Sequence, residues 1–209
     1  MYPKYDFHNQ SPSLPKVQAL LALEKKVERC GLCSTTANSP SHTILGEGGS
    51  ESQIIVCGEA PGAAEYVRKR PFVGPVGQIL REHLITEEFA PHVFITNALC
   101  CRPPRNAKPD PDQLRNCEQH MDGLFYILQP KFLVILGRTA QELLVSPQIG
   151  VRGYLTNIDG YQGLRPLYVY YTFHPGYIAR FAGPANEAYG QYREIQAHMR
   201  TIIEGGGRG

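Results

Sequence analysis

The chain has 209 residues, of which 42% are hydrophobic, enough to bury one core and about the length of one domain, with no apolar run long enough to span a bilayer. A net charge of only +2 and a pI near 8.2 leave nucleic-acid binding to local clusters rather than to global charge. Six cysteines occur, but no charged-then-apolar leader precedes Cys30 and a chain of this length needs no stapling, so a secreted disulfide scaffold fits poorly. A soluble, cytoplasmic monomer is expected.

In chain order, residues 1–14 read as a polar, proline-containing arm, and 15–204 as a single domain. Val17 to Arg29 has the Leu/Val spacing of a helix, which Cys30-Gly31-Leu32-Cys33 ends. That C-x2-C pair can offer two thiolates to one metal centre. Gln53 to Cys57 is a buried strand, in which Cys57 is a small core residue. It runs directly into Gly58-Glu59-Ala60-Pro61-Gly62, a stiff loop permitting close backbone approach, followed by Pro71-Phe72-Val73-Gly74. A helix is expected from about Val76 to Phe89, then a strand from His92 to Thr96 ending at Asn97, and a Pro/Arg-rich loop through Pro111. Asp112 to Leu128 is a long helix carrying Cys117. Lys131 to Leu136 is the next strand, Arg138 to Leu144 a short helix, and 145–166 an irregular stretch with room for a hairpin. The strand Tyr168 to Thr172 ends at Phe173-His174-Pro175-Gly176. A closing helix from about Ala185 to Glu204 precedes a flexible tail, 205–209.

Alternating strands and helices imply an α/β fold, three α/β/α layers around a small parallel sheet of about four strands. In such sheets ligands sit outside the carboxyl ends of the strands. Three strand ends offer Glu59, Asn97 and His174 beside Phe72: a carboxylate, an amide, an imidazole and a stacking plate, which together suit a flat heterocycle. Singly, Asn97 reads as a turn former and His174 as a satisfied loop histidine. Arg68-Lys69-Arg70, with Arg102, Arg105 and Lys108, gather positive charge near the same place, as phosphate contacts need. Cys101 and Cys117 can complete a four-thiolate set with Cys30 and Cys33. Cys100 is an alternative to Cys101, and ligand chemistry alone leaves zinc open.

The order of these blocks resembles the uracil-DNA glycosylases of the iron-sulfur type, family 4. The match runs from Cys30 to about Arg180 and rests on Gly58-Glu59-Ala60-Pro61-Gly62, Glu65, Arg70-Pro71-Phe72-Val73-Gly74, Gly77, Thr96-Asn97, Cys101-Arg102-Pro103-Pro104, Cys117 and His174-Pro175. The resemblance implies a [4Fe-4S] cluster on Cys30, Cys33, Cys101 and Cys117. It also implies a DNA substrate, single- or double-stranded, from which a pyrimidine is flipped out and cut from its sugar. Gly58, Gly62, Glu65, Phe72 and Asn97 would bind the base, Phe72 stacking on it and Asn97 reading N3 and O4. His174 would face O2. Relatives with Gly-Gln-Asp-Pro-Tyr at the first motif have their water-activating aspartate where Ala60 stands, which leaves Glu59 as the candidate to place the water. Arg68, Lys69, Arg70, Arg102 and Arg105 would grip DNA, and Tyr177, Ile178 and Arg180 lie where the family inserts a wedge.

No lysine is placed for a Schiff-base step, so a monofunctional enzyme leaving an abasic site is expected. Family 4 members typically carry an acidic residue at Tyr66 and Thr-Gly at Arg68-Lys69, so this loop is bulkier and more basic. Two other readings follow from that departure: a glycosylase for a pyrimidine with a larger C5 group, related to phage DNA or to defence, or a non-catalytic DNA-binding relative. Retention of Phe72, Asn97 and His174 together favours uracil excision.

Overall fold

The computed structural model describes residues 13–33, 43–144, 155–158, 167–181 and 187–205. Five strands form one sheet in the order β2-β1-β3-β5-β4: β1 (Ile54–Gly58), β2 (Val93–Asn97), β3 (Phe132–Leu136), β4 (Leu155–Ile158) and β5 (Leu167–Thr172). The four strands read from the sequence are present and mutually parallel. The fifth, β4, adds an antiparallel edge against β5 inside the stretch expected to be irregular, the rest of which lies outside the described residues.

β1, β2 and β3 are buried at every position, which is why they read as continuous apolar runs rather than alternating ones. Alternation survives as a division between two cores. Ile55, Cys57, Leu133, Ile135 and Val169 pack with α1 (Leu14–Glu28), α4 (Pro111–Leu128) and α5 (Arg138–Leu144). Ile54, Val56, Phe132, Val134 and Tyr170 face the other way, onto α3 (Pro75–His83), α6 (Pro175–Phe181) and α7 (Glu187–Gly205). Side chains of period two thus build the three layers.

Several helix ends follow local chemistry. Ser13 caps α1 through Lys16 N, so the helix starts at Leu14, inside the span expected to be an arm; the rest of that arm and residues 206–209 lie outside the described residues. Asp110 and Gln113 form a reciprocal capping box that, with Pro111, opens α4. The helix expected over Val76–Phe89 stops at His83. Beyond it the chain turns back through Thr86, burying Leu84, Ile85 and Phe89 in the core. Two short helices escaped the sequence reading. These are α2 (Ala63–Arg68), within the first loop, and α6, directly after His174.

With β2 on one side of β1 and β3 on the other, strand order reverses between β1 and β3, and a crevice opens outside their carboxyl ends. Glu59 follows β1, Asn97 closes β2, and Gly137 to Thr139 follow β3, so the sheet brings separate stretches of chain to one rim. No helix among the described residues is long and apolar enough to cross a membrane.

Candidate active site and cysteine cavity

Gly58 ends β1 where a side chain is impossible: a Cβ there would come within 2.4 Å of the Phe72 ring and 2.7 Å of Asn97 Oδ1. Gly58, Phe72 and Asn97 therefore pack as one wall, and Asn97 is buried. Phe72 holds a positive φ of 51°, a costly backbone state for an aromatic residue. Its surroundings impose it. Buried Arg81 donates from Nε to Phe72 O at 3.1 Å and from Nη2 to Pro71 O at 3.1 Å, while Gly77 lies so close that a Cβ would sit 2.0 Å from Phe72 O.

Glu47 anchors the guanidinium groups behind this turn. It accepts two bonds from Arg70, at 2.7 and 2.8 Å, and lies 3.5 Å from Arg81 Nη2. Arg81→Met is expected to cost about 3 kcal/mol, because two buried carbonyls and part of Glu47 lose their donors, and to release Phe72 from its strained conformation. A fall in the urea midpoint, together with slower base release, checks this. Arg81→Lys should rescue little, since one ammonium cannot reproduce the planar fork.

Glu65 is fully occupied in shaping the loop. Oε1 accepts from the amides of Val73 and Gly74, each at 2.8 Å, and Oε2 from Gly62 N at 3.2 Å, which ties the first motif to the Phe72 turn. Glu59 points toward β3: its Oε2 accepts from Thr139 Oγ1 at 2.6 Å. Thr139, at the start of α5, carries no motif signal in the sequence and was not expected in the site.

His174 stands across the rim, its ring 6.1 Å from Phe72. Gly176 N donates to His174 Nδ1 at 3.1 Å. An Nδ1 that accepts leaves the proton of a neutral imidazole on Nε2. Burial holds the pKa of His174 below that of a free imidazole, with the negative charge of Glu59 opposing in part. The arrangement is thus a fixed N–H donor, a buried amide, an aromatic wall and a tethered carboxylate around one crevice.

The basic and aromatic residues divide. Lys69, Arg105 and Arg180 are exposed, Lys69 in the left-handed cap of α2. Arg68, itself exposed, donates to Val73 O at 2.8 Å, and half-buried Arg70 is committed to Glu47. Arg102 donates to Asn106 Oδ1 at 2.7 Å and lies 6.0 Å from the Tyr66 ring, which gives that unusual tyrosine a partner. Ile178 corrects the wedge reading: it is 2% exposed, part of the core under α6. Because α6 is a helix rather than an extended loop, its outward face carries Tyr177 and Phe181 instead. Tyr177 stacks on Phe173 at 4.6 Å and contacts Phe181 at 5.0 Å.

On the α1/α4 side, Cys30, Cys33, Cys100, Cys101 and Cys117 line one cavity with Thr43, Asn116 and His120. Cys57 is apart from it, fully buried in β1 as expected. Asn116 Nδ2 donates to Leu32 O at 3.1 Å and contacts Cys33 Sγ at 3.6 Å, fastening the C-x2-C turn to α4. Cys100 and Cys117 are buried neighbours whose thiols interact, which holds Cys100 above its ordinary pKa and Cys117 below it.

The family model described as Uracil DNA glycosylase superfamily matches residues 45–194, a span from the loop before β1 into α7 that includes the whole crevice. The chain belongs to this superfamily. It is 33% identical to a type-4 uracil-DNA glycosylase of Thermotoga maritima, over 76% of this chain and 82% of that protein. With the type-4 uracil-DNA glycosylase of Saccharolobus solfataricus identity is 35%, over 72% of this chain and 71% of the other. That of Pyrobaculum aerophilum is 32% identical over 78% and 85%.

In this superfamily member the cysteine cavity fits an iron-sulfur cluster by its donor set. Burial, with the neighbouring thiols adding to it, pushes Cys101 up to about 12, so several thiolates can coexist there only around compensating positive charge. Among the described residues no group of three His, Cys, Asp or Glu side chains is arranged to hold a single metal ion. Cys30, Cys33, Cys100, Cys101 and Cys117 line one space, and a polynuclear group takes one thiolate per iron. His120 adds a second indication: it is 2% exposed and neither ring nitrogen has a hydrogen-bond partner among the described residues. A buried imidazole left dry is costly, and a sulfur-rich group in the cavity is an acceptor for it.

Proposed function

We propose that this chain is a monofunctional uracil-DNA glycosylase that flips uracil from DNA and hydrolyses its N-glycosidic bond. The observation that carries the proposal is the convergence of His174, Asn97 and Phe72 on one crevice, with His174 Nδ1 occupied by Gly176 N so that Nε2–H is the free donor. The printed names of the relatives support the same activity.

The extruded ring stacks on Phe72, a contact that offsets the few kcal/mol lost on unstacking. Asn97 pairs with N3–H and O4 of uracil, and the swapped donor and acceptor of cytosine mismatch it. As the glycosidic bond breaks, negative charge grows on O2, and the neutral His174 Nε2–H is aimed there. Thr139 holds Oε2 of Glu59, leaving Oε1 to place the attacking water at C1′ of the sugar. Water adds at C1′, its proton passes to solvent or Glu59, and the uracil anion departs. Lys69, Arg105 and Arg180 with Tyr177 take the phosphates and neighbouring bases.

A cluster held by Cys30, Cys33, Cys101 and Cys117 pins α1 to α4 and has a structural role, outside the crevice; Cys100, which lines the same cavity, is the alternative to Cys101 as the ligand. The protein acts as a cytoplasmic monomer on DNA. Excision of a pyrimidine with a large C5 group, whose substituent Arg68 or Lys69 could hydrogen-bond, is disfavoured because all the base-contacting positions of the uracil enzymes are present; Arg68 is in addition turned back to Val73 O.

The test is a set of oligonucleotides bearing uracil, thymine or a bulky C5-substituted pyrimidine, single-stranded and paired, assayed for alkali-labile sites. Release from uracil DNA alone is expected, in both strand forms. Robust release of the bulky base with negligible uracil release would instead favour the C5-modified substrate.

A further inference from the structure

The cysteine cavity contains one group that thiolate ligation leaves unused. His120 sits on α4 three residues after Cys117, which puts the two on the same helix face. It lines the cavity, is 2% exposed, and both Nδ1 and Nε2 lack a hydrogen-bond partner among the described residues. Buried polar atoms are almost always satisfied, so two such nitrogens on one ring, facing a thiol-lined cavity, call for a partner in that cavity. Each iron of a four-iron cluster takes one thiolate, and Cys30, Cys33, Cys101 and Cys117 are sufficient for that. The imidazole then remains as a donor facing electron-rich sulfur.

Resting on the cluster proposed above, we infer that His120 donates a ring N–H to a sulfur of the cluster and thereby sets its reduction potential. A hydrogen bond to sulfur stabilises the more negative, reduced state, so this donor raises the potential. It is a positioning and tuning residue of the metal centre and takes no part in base excision.

The experiment uses the full chain purified without oxygen, as wild type, His120→Leu and His120→Gln, and follows iron content and the cluster's potential in a spectroelectrochemical titration. All three are expected to hold about four irons per chain. His120→Leu should show a more negative potential, and His120→Gln, which keeps an N–H, should recover part of the shift. In wild type labelled with ¹⁵N-histidine, pulsed EPR of whichever paramagnetic cluster state is reached should show a weak nitrogen coupling, and this reading stands even if the leucine variant does not fold. An unchanged potential in fully loaded His120→Leu overturns the inference. So does a strong ¹⁵N coupling in wild type, or a three-iron signal in His120→Leu, either of which would make His120 a ligand. Iron-free wild type defeats the cluster itself, while normal uracil release by every variant leaves the excision reading standing apart from this one.

Discussion

His174→Ala is expected to lower the rate of uracil release by about 10² to 10³, or roughly 3 to 4 kcal/mol of transition-state stabilisation, with binding to abasic DNA nearly unchanged. The size follows from the geometry. The ring is buried, Gly176 N fixes its tautomer, and Gly137, at φ +85°, brings backbone so near that a Cβ would lie 3.1 Å from His174 Cβ. A donor held in this way loses nothing to reorganisation as charge develops on the leaving base.

The pH dependence has a definite sign. Because burial depresses the His174 pKa, the neutral imidazole persists below the free-histidine value of about 6.5, and the histidine-dependent acid limb of the rate should lie below that pH. Protonating Nδ1 breaks the bond from Gly176. The stability tied to neutral His174 is therefore complete above the free-histidine pKa and is lost as pH falls through the depressed one. Single-turnover assays from neutral to acid pH measure the first effect, and urea midpoints over the same range the second. Turnover unaltered by His174→Ala would remove the residue from the mechanism.

Cys117→Ser is expected to abolish iron binding and to lower Tm by on the order of 10 °C, the equivalent of a few kcal/mol for a chain of this size. Helix α1 reaches the core mainly through Leu23 and Val27, and its following turn is fastened to α4 by Asn116. Without the cluster that attachment is thin. Limited proteolysis should then cut first near Cys30, while the pocket turn around Phe72, held by Arg81 and Glu47, stays protected. Cys100→Ser should keep its iron if Cys101 is the ligand, as proposed, and lose it if Cys100 is. Stoichiometric zinc without iron in anaerobically purified wild type would contradict the cluster.

The sequence alone determined the four parallel strands, because strands covered on both faces must be apolar at nearly every position and Gly/Pro clusters mark where each one stops. It also brought the candidate site residues to one rim, since Gly58, Asn97 and His174 stand at strand ends, and strand ends of a parallel sheet lie together. Polar partnership was decided by the tertiary structure. Thr139 meets Glu59 across 80 residues and Arg81 meets Glu47 across 34, and hydrophobic periodicity reports burial without saying which group satisfies a buried carboxylate. The same limit explains Ile178 and His120. Ile178 was assigned to the outside from its place in a motif, whereas a single turn of α6 rotates it into the core. His120 carries no motif signal on its helix; the tertiary structure puts it in the cavity with Cys30, Cys100 and Cys117.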